Sequence, residues 1–224
     1  MNEQSNPTQQ AAAKPGELTR QKILQHAAEL ASVEGLEGLT IGRMAKALQM
    51  SKSGLFAHFG SKESLQLATI EAAKERFEEW VFEPAQPMPQ GLERFRAILE
   101  NWLGYIEKSV FPGGCFFLAA SIEFDSRPGV VGNRLAEIMR EWHDQLLENA
   151  AIAIDHHELD PSADAQQLTF ECIAAVQQAN AWYQLFQNEE SFERAHKAIR
   201  FRLDYNSRNS AGRKRVEPGQ DYLF

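Results

Sequence analysis

An all-α fold, with an N-terminal three-helix head and a C-terminal helical body, is predicted by three observations. Apolar residues recur at helical spacing along most of the chain, and alternation at a period of two never persists. The nine prolines delimit these periodic stretches, as expected of a residue that removes a backbone donor and clashes with the preceding turn. Residues 39–62, LTIGRMAKALQMSKSGLFAHFGSK, hold two short helical patterns parted by a tight corner, the layout of a helix-turn-helix.

Residues 1–16 are polar with two prolines and are expected to form a disordered arm. Thr19 is expected to cap a first helix that presents Ile23, Leu24, Ala27, Leu30 and Ala31 on one face and ends at Gly35. Thr40 is the next N-cap candidate, and Ile41, Met44, Ala45 and Leu48 fall on one side after it. Ser51 caps the second pattern, to which Leu55, Phe56 and Phe59 supply the apolar side. Lys52, Ser53, Gly54, Ala57 and His58 are left facing outward. Gly60 ends that helix, and Ser61 caps the one that follows. A solvated face more often carries Glu/Lys pairs. This one is short, small and polar, with Lys52 at its start and His58 and Lys62 near its end. It suits a helix that enters the major groove.

The same stretch resembles the DNA-binding domain of the TetR family of bacterial repressors. The matching residues are Leu39-Thr40-Ile41, Met44-Ala45, Met50-Ser51-Lys52, Gly54-Leu55-Phe56, His58-Phe59 and Ser61 to Leu65. Phe56 stands where the family usually has tyrosine, Gln49 where it usually has glycine, and Ala31 where an aromatic often ends the first helix. The resemblance implies DNA contacts by Thr40, Ser51, Lys52, Ser53, Gly54, Phe56, His58 and Lys62. It also implies a dimeric repressor that leaves double-stranded operator DNA when a small-molecule effector binds.

The head spans 17–62 and the body 63–205 in this reading, with a disordered tail at 206–224. A fourth helix, Ser61 to about Phe82, bridges the two. Further helices follow at 91–109, at Cys115–Phe124, from Asp125 past Leu146, at 165–186 and at Ser191–Tyr205. Aromatic residues come from several of these, and ligand pockets are mostly apolar with a few orienting polar groups. Trp80, Trp102, Tyr105, Phe117 and Trp142, with Glu123 and Gln177, are the candidate pocket. The helix at 165–186 has two apolar stripes, so two covers are needed. Leu168, Cys172, Val176, Ala179, Tyr183 and Phe186 are the stripe assigned to a homodimer seam; Phe170, Ile173, Ala174, Ala181 and Leu185 form the other.

Charge supports a divided molecule. Residues 1–62 carry seven Lys/Arg against five Asp/Glu, so the chain's net −8 leaves −10 on the remainder. Two isolated cysteines make neither a disulfide framework nor a zinc site, and Cys115 reads as a packed thiol. No apolar run nears the roughly 20 residues of a membrane span, and no signal segment is read, so a cytoplasmic protein without a membrane partner is expected. No nucleotide loop or nucleophile setting is present, which disfavours an enzyme. No cofactor and no metal are expected: Glu193-x-x-His196 is the only motif of its kind, and His156-His157 lie side by side.

Overall fold

Three hydroxyls set where the helices of the head begin. Thr40 Oγ1 accepts from the Arg43 amide at 3.2 Å, Ser51 Oγ from the Gly54 amide at 3.0 Å, and Ser61 Oγ from the Ser64 amide at 3.0 Å. Each stands in for an acceptor that the first turn lacks, and losing one costs about 1 kcal/mol. The computed structural model describes residues 15–207. Its first helices are α1 (Pro15–Glu34), α2 (Ile41–Ala47), α3 (Lys52–Phe59) and α4 (Lys62–Val81).

The start of α1 departs from expectation. It begins at Pro15, whose missing N–H would be unpaired at a first helical position anyway. Thr19 thus lies one turn inside α1, and Pro15 and Gly16 belong to the helix; the rest of the expected arm lies outside the described residues. Gly35 ends α1 at φ +86°, its amide bonded to the Ala31 carbonyl at 3.0 Å. Gln49, between α2 and α3, has φ +55°. The left-handed region costs a residue with a side chain about 1–2 kcal/mol, which is why a glycine suits this corner.

Beyond α4 and a 3-10 turn at Glu83–Ala85 come α5 (Leu92–Glu107), α6 (Phe116–Phe124), α7 (Val130–Asp155), α8 (Ala165–Phe186) and α9 (Glu190–Tyr205). No strand occurs among the described residues, only an isolated bridge between Leu159 and Ser207. Asn206 is buried, and its carbonyl accepts from the Asp160 amide, so the expected tail is still packed at 206–207. Residues 208–224 lie outside the described residues.

Helix α4 packs on α1, α5 and α7. Its Phe77 is the hub of the body. The ring lies 4.3 Å from Trp142, 5.1 Å from Tyr105, 5.6 Å from Trp102, 5.8 Å from Phe117 and 6.0 Å from Phe82. Most of these contacts are tilted or edge-on, as aromatic quadrupoles prefer. On the outside, Arg134 of α7 grips Glu71 of α4 through Nε at 2.7 Å and Nη2 at 3.1 Å, and Lys74 reaches Glu141 at 3.1 Å. The Arg134 hydrogen bond holds the Glu71 carboxyl below its usual range.

Two joints tie the ends of α6 to the head. Glu123 accepts from the amides of Leu36 at 2.7 Å and Glu37 at 3.0 Å, in the loop after α1. At the other end, the Gly113 amide donates to Ser32 Oγ at 3.1 Å. A Cβ on Gly113 would fall 1.9 Å from the Ser32 carbonyl oxygen, whereas one on Gly104 would meet nothing within 4 Å. Gly113→Ala is therefore expected to cost about 1–3 kcal/mol in urea unfolding, since backbone must move to admit it. Gly104→Ala, in the last turn of α5, should leave stability unchanged or raise it by up to about 0.5–1 kcal/mol.

Candidate nucleic-acid interface

Helix α3 buries Leu55 and Phe59 against the head and turns its other side outward. Phe56 does not join that apolar side as expected: it is 57% exposed. It lines a shallow cleft with Lys52, Ser53 and Ala57, opposite Ile41 and Gly42 of α2. The Lys52 stem lies over Gly42, its Cε 3.5 Å from where a Cβ would stand. Ser51 and Ser53 hydroxyls are 3.2 Å apart, and Gly54 sits so close to the Ser51 cap that a Cβ would approach Oγ to 3.0 Å. Thr40 is exposed at the start of α2, and half-buried His58 and Lys62 lie beyond the cleft at the far end of α3.

The cations differ in how far they are committed. Arg43 pairs with Glu34, and Lys62 Nζ reaches Glu37 Oε1 at 2.5 Å. That hydrogen bond holds the Glu37 carboxyl below its usual range. Lys46 and Lys52 make no ion pair among the described residues. Lys46, exposed at the end of α2, was not singled out from the sequence. The only available cue was its charge in the last turn.

The candidate pocket is assembled in part. Trp102, Tyr105, Phe117 and Trp142 gather around Phe77, and Trp142 Nε1 donates to Glu78 Oε1 at 3.2 Å. Trp80, Glu123 and Gln177 are elsewhere. Trp80 is 38% exposed on the outside of α4 with Lys108 over its ring, Gln177 is exposed on α8, and Glu123 is occupied by the head joint. Cys115 is fully enclosed, and burial pushes its thiol up, which keeps it protonated. Among the described residues, no three His, Cys, Asp or Glu side chains are gathered as for a metal, and no helix is long and apolar enough to cross a membrane.

The stripe assigned to a dimer seam is also corrected. Leu168, Cys172, Val176 and Ala179 are buried within this one chain, and Tyr183 is half-buried against Phe192 with ring centroids 4.8 Å apart. Helix α8 turns these residues to its own α5, α7 and α9. Phe186 alone of the set is well exposed.

A capped helix-turn-helix with an outward polar helix, set on a separate helical core, defines a regulator of the helix-turn-helix class. The chain belongs to the TetR family: residues 23–69 match "Bacterial regulatory proteins, tetR family" and residues 91–199 match "Tetracyclin repressor-like, C-terminal domain". Over 65 residues it is 38% identical to the HTH-type transcriptional repressor AcnR of Corynebacterium efficiens, and equally to that of Corynebacterium glutamicum. That match takes in 29% of this chain and 35% of the relative, so it spans about a third of the curated relatives' length. A TetR transcriptional regulator from Chloroflexus aurantiacus is 26% identical, with a TM-score of 0.74 over 85% of this chain and 94% of the other. AibR, solved with isovaleryl coenzyme A and operator DNA, shares the fold at 23% identity and a TM-score of 0.68, over 81% of this chain and 97% of the other.

The outward aromatic separates surface from core on the same helix. Phe56→Ala is expected to change unfolding free energy by less than about 0.5 kcal/mol. Leu55→Ala, at a fully buried site, should cost about 2–5 kcal/mol. Urea titration followed by circular dichroism measures both.

Proposed function

We propose that this protein is a dimeric transcriptional repressor that binds a pseudo-palindromic operator through α3 and is released by a small apolar or aromatic ligand taken up by the body. The observation that carries the reading is the α3 cleft. A lysine with no ion pair among the described residues, a serine and an exposed phenylalanine stand on one side of a capped helix. Lys52, Ser53, Gly54 and His58 are assigned to the bases, and Thr40, Phe56 and Lys62 to the backbone. Phosphate contacts position a protein and base contacts specify the sequence. Lys62 starts from an ion pair with Glu37 and trades that carboxylate for a phosphate.

The dimer seam is assigned to the exposed side of α8, with Phe170 and Leu185 from the second stripe and Phe186 from the first, together with α9. Phe170, Leu185 and Phe186 are 67%, 72% and 63% exposed, and Phe201 and Tyr205 of α9 are 71% and 53% exposed. Single exposed apolar residues are ordinary on a protein surface, but five of them along two packed helices fit an association site. A second copy is the fitting occupant. A two-fold seam presents the same patch from both sides and sets two α3 helices at the spacing of successive major grooves, about 34–36 Å or a multiple. AibR, a protein of the same fold, holds both an acyl coenzyme A and operator DNA in one structure, which supports a body that takes a ligand and a head that takes DNA.

Lys62→Ala is expected to weaken duplex binding at every sequence and to lower the slope of log K against log salt by about one. Lys52→Ala should instead change which sequences are preferred, read by competition among duplexes in gel shifts. Uniform loss from both would reverse the assignment of the faces. Leu185→Glu should give a folded monomer by light scattering with loss of operator retention. Val176→Glu, at a buried core site, should unfold the body instead, visible as lost helicity.

A further inference from the structure

Two buried side-chain donors inside the body have no hydrogen-bond partner among the described residues. Helix α6 begins at Cys115 without a side-chain cap. Its first amides turn inward: that of Phe116 faces the Tyr105 hydroxyl, and those of Phe117 and Leu118 face the Cys115 sulfur. The indole N–H of Trp102 also faces that sulfur. Neither Trp102 Nε1 nor the Tyr105 hydroxyl completes a hydrogen bond, although Trp102 is 7% exposed and Tyr105 is fully buried. A native interior rarely leaves such groups unpaired. Asn180 Oδ1 accepts from the Cys115 amide at 2.9 Å, and the positive end of the helix adds to the remaining donors. The Arg76 guanidinium acts on Tyr105 and lies 5.2 Å above the Phe111 ring, with Glu29 Oε1 3.9 Å from its Nη1.

We propose that the buried N-terminus of α6 is a carboxylate-binding site, and that the ligand of the body is a small organic acid with an apolar or aromatic tail. This rests on the reading of the body as a ligand-binding domain and gives that ligand its chemistry. The carboxylate accepts from Trp102 Nε1, from the Tyr105 hydroxyl and from the first amides of α6. The tail leaves past Phe111, whose ring stands 6.1 Å from Tyr105 and also lines a groove of about 700 Å³ between α1 and α4. Leu24, Ala28, Ala68 and Ala72 give that groove an apolar floor, while Glu17, Glu75 and Glu79 sit along its rim with Arg20 and Arg76. The apolar floor takes the tail, and the glutamates repel a second carboxylate. An acid seated this way stands between a helix of the head and the helix that bridges to the body. It also presses on α6, both ends of which are tied to the head.

The test uses the full-length protein with benzoate, phenylacetate, 4-phenylbutyrate and hexanoate, each beside its matched alcohol, read by thermal unfolding and tryptophan fluorescence. At least one acid should raise the melting temperature with concentration, and its alcohol should not. Tyr105→Phe removes one donor and keeps the ring. It should be no less stable than the parent without an acid, because it deletes an unpaired buried hydroxyl, yet bind the acid about tenfold or more weakly. Trp102→Phe should weaken the same acid alike. The proposal is overturned if no acid stabilises the protein, if alcohols do as well as acids, or if Tyr105→Phe binds the acid as the parent does. Duplex retention is measured in parallel. DNA bound without any response to acids defeats this inference alone, whereas loss of both defeats the reading on which it rests.

Discussion

The Glu123 carboxylate, bonded to two successive amides of the head, is the interaction on which the rest of the molecule depends. It joins residues 87 and 86 positions apart and converts two domains into one mechanical unit. Gly35 makes the approach possible, since a Cβ there would stand 2.9 Å from Glu123 Oε1. Around this point the loop is braced from other sides. Gln66 of α4 donates to the Leu36 carbonyl at 2.8 Å, and Lys62 and Arg127 both reach Glu37. The loop that leads into the helix-turn-helix is thus held by α6 and α4 together. Exposed ion pairs contribute little to such a joint; hydrogen bonds from backbone amides to a carboxylate are the stronger part.

The body responds to this arrangement because its core is built from rings on both sides of the same helices. Phe77 of α4 touches rings from α5, α6 and α7, so a change at any of them reaches the bridging helix. Packed interiors move between discrete arrangements rather than deforming smoothly. A ligand shifts the balance only by its difference in affinity for the two arrangements, and operator DNA must weaken the ligand by the factor that the ligand weakens DNA. In the proposed reading, the donors at the start of α6 supply such a difference when only one arrangement presents them to an acceptor.

Much of the head was legible because its signals are local. Thr40, Ser51 and Ser61 cap helices by bonding amides three residues on, and Gly35 and Gly60 adopt positive φ at helix ends, all of which a short window of sequence contains. Phe56 misled for a related reason. Its spacing allows either face of a short helix, and only tertiary packing turned it outward. The roles of Glu123 and Trp80 were not legible. Glu123 is a charged residue on an apolar helix, a pattern that fits a pocket as well as a joint, and its partners are two backbone amides with no side-chain signature. The two apolar stripes of α8 were visible, but not which one faces inward. That choice depends on where α5, α7 and α9 lie, and Val176 and Phe170 are equally apolar to a sequence reader.

In the proposed reading, a head braced in this way reads duplex DNA as one half of a two-fold pair. Sequencing the duplexes that the full-length protein selects from a random pool tests it most directly. The expected result is an enriched pseudo-palindrome whose half-sites are centred one helical turn apart or a multiple of it. A pool that remains random after repeated selection, or a motif with a single asymmetric half-site, would contradict it.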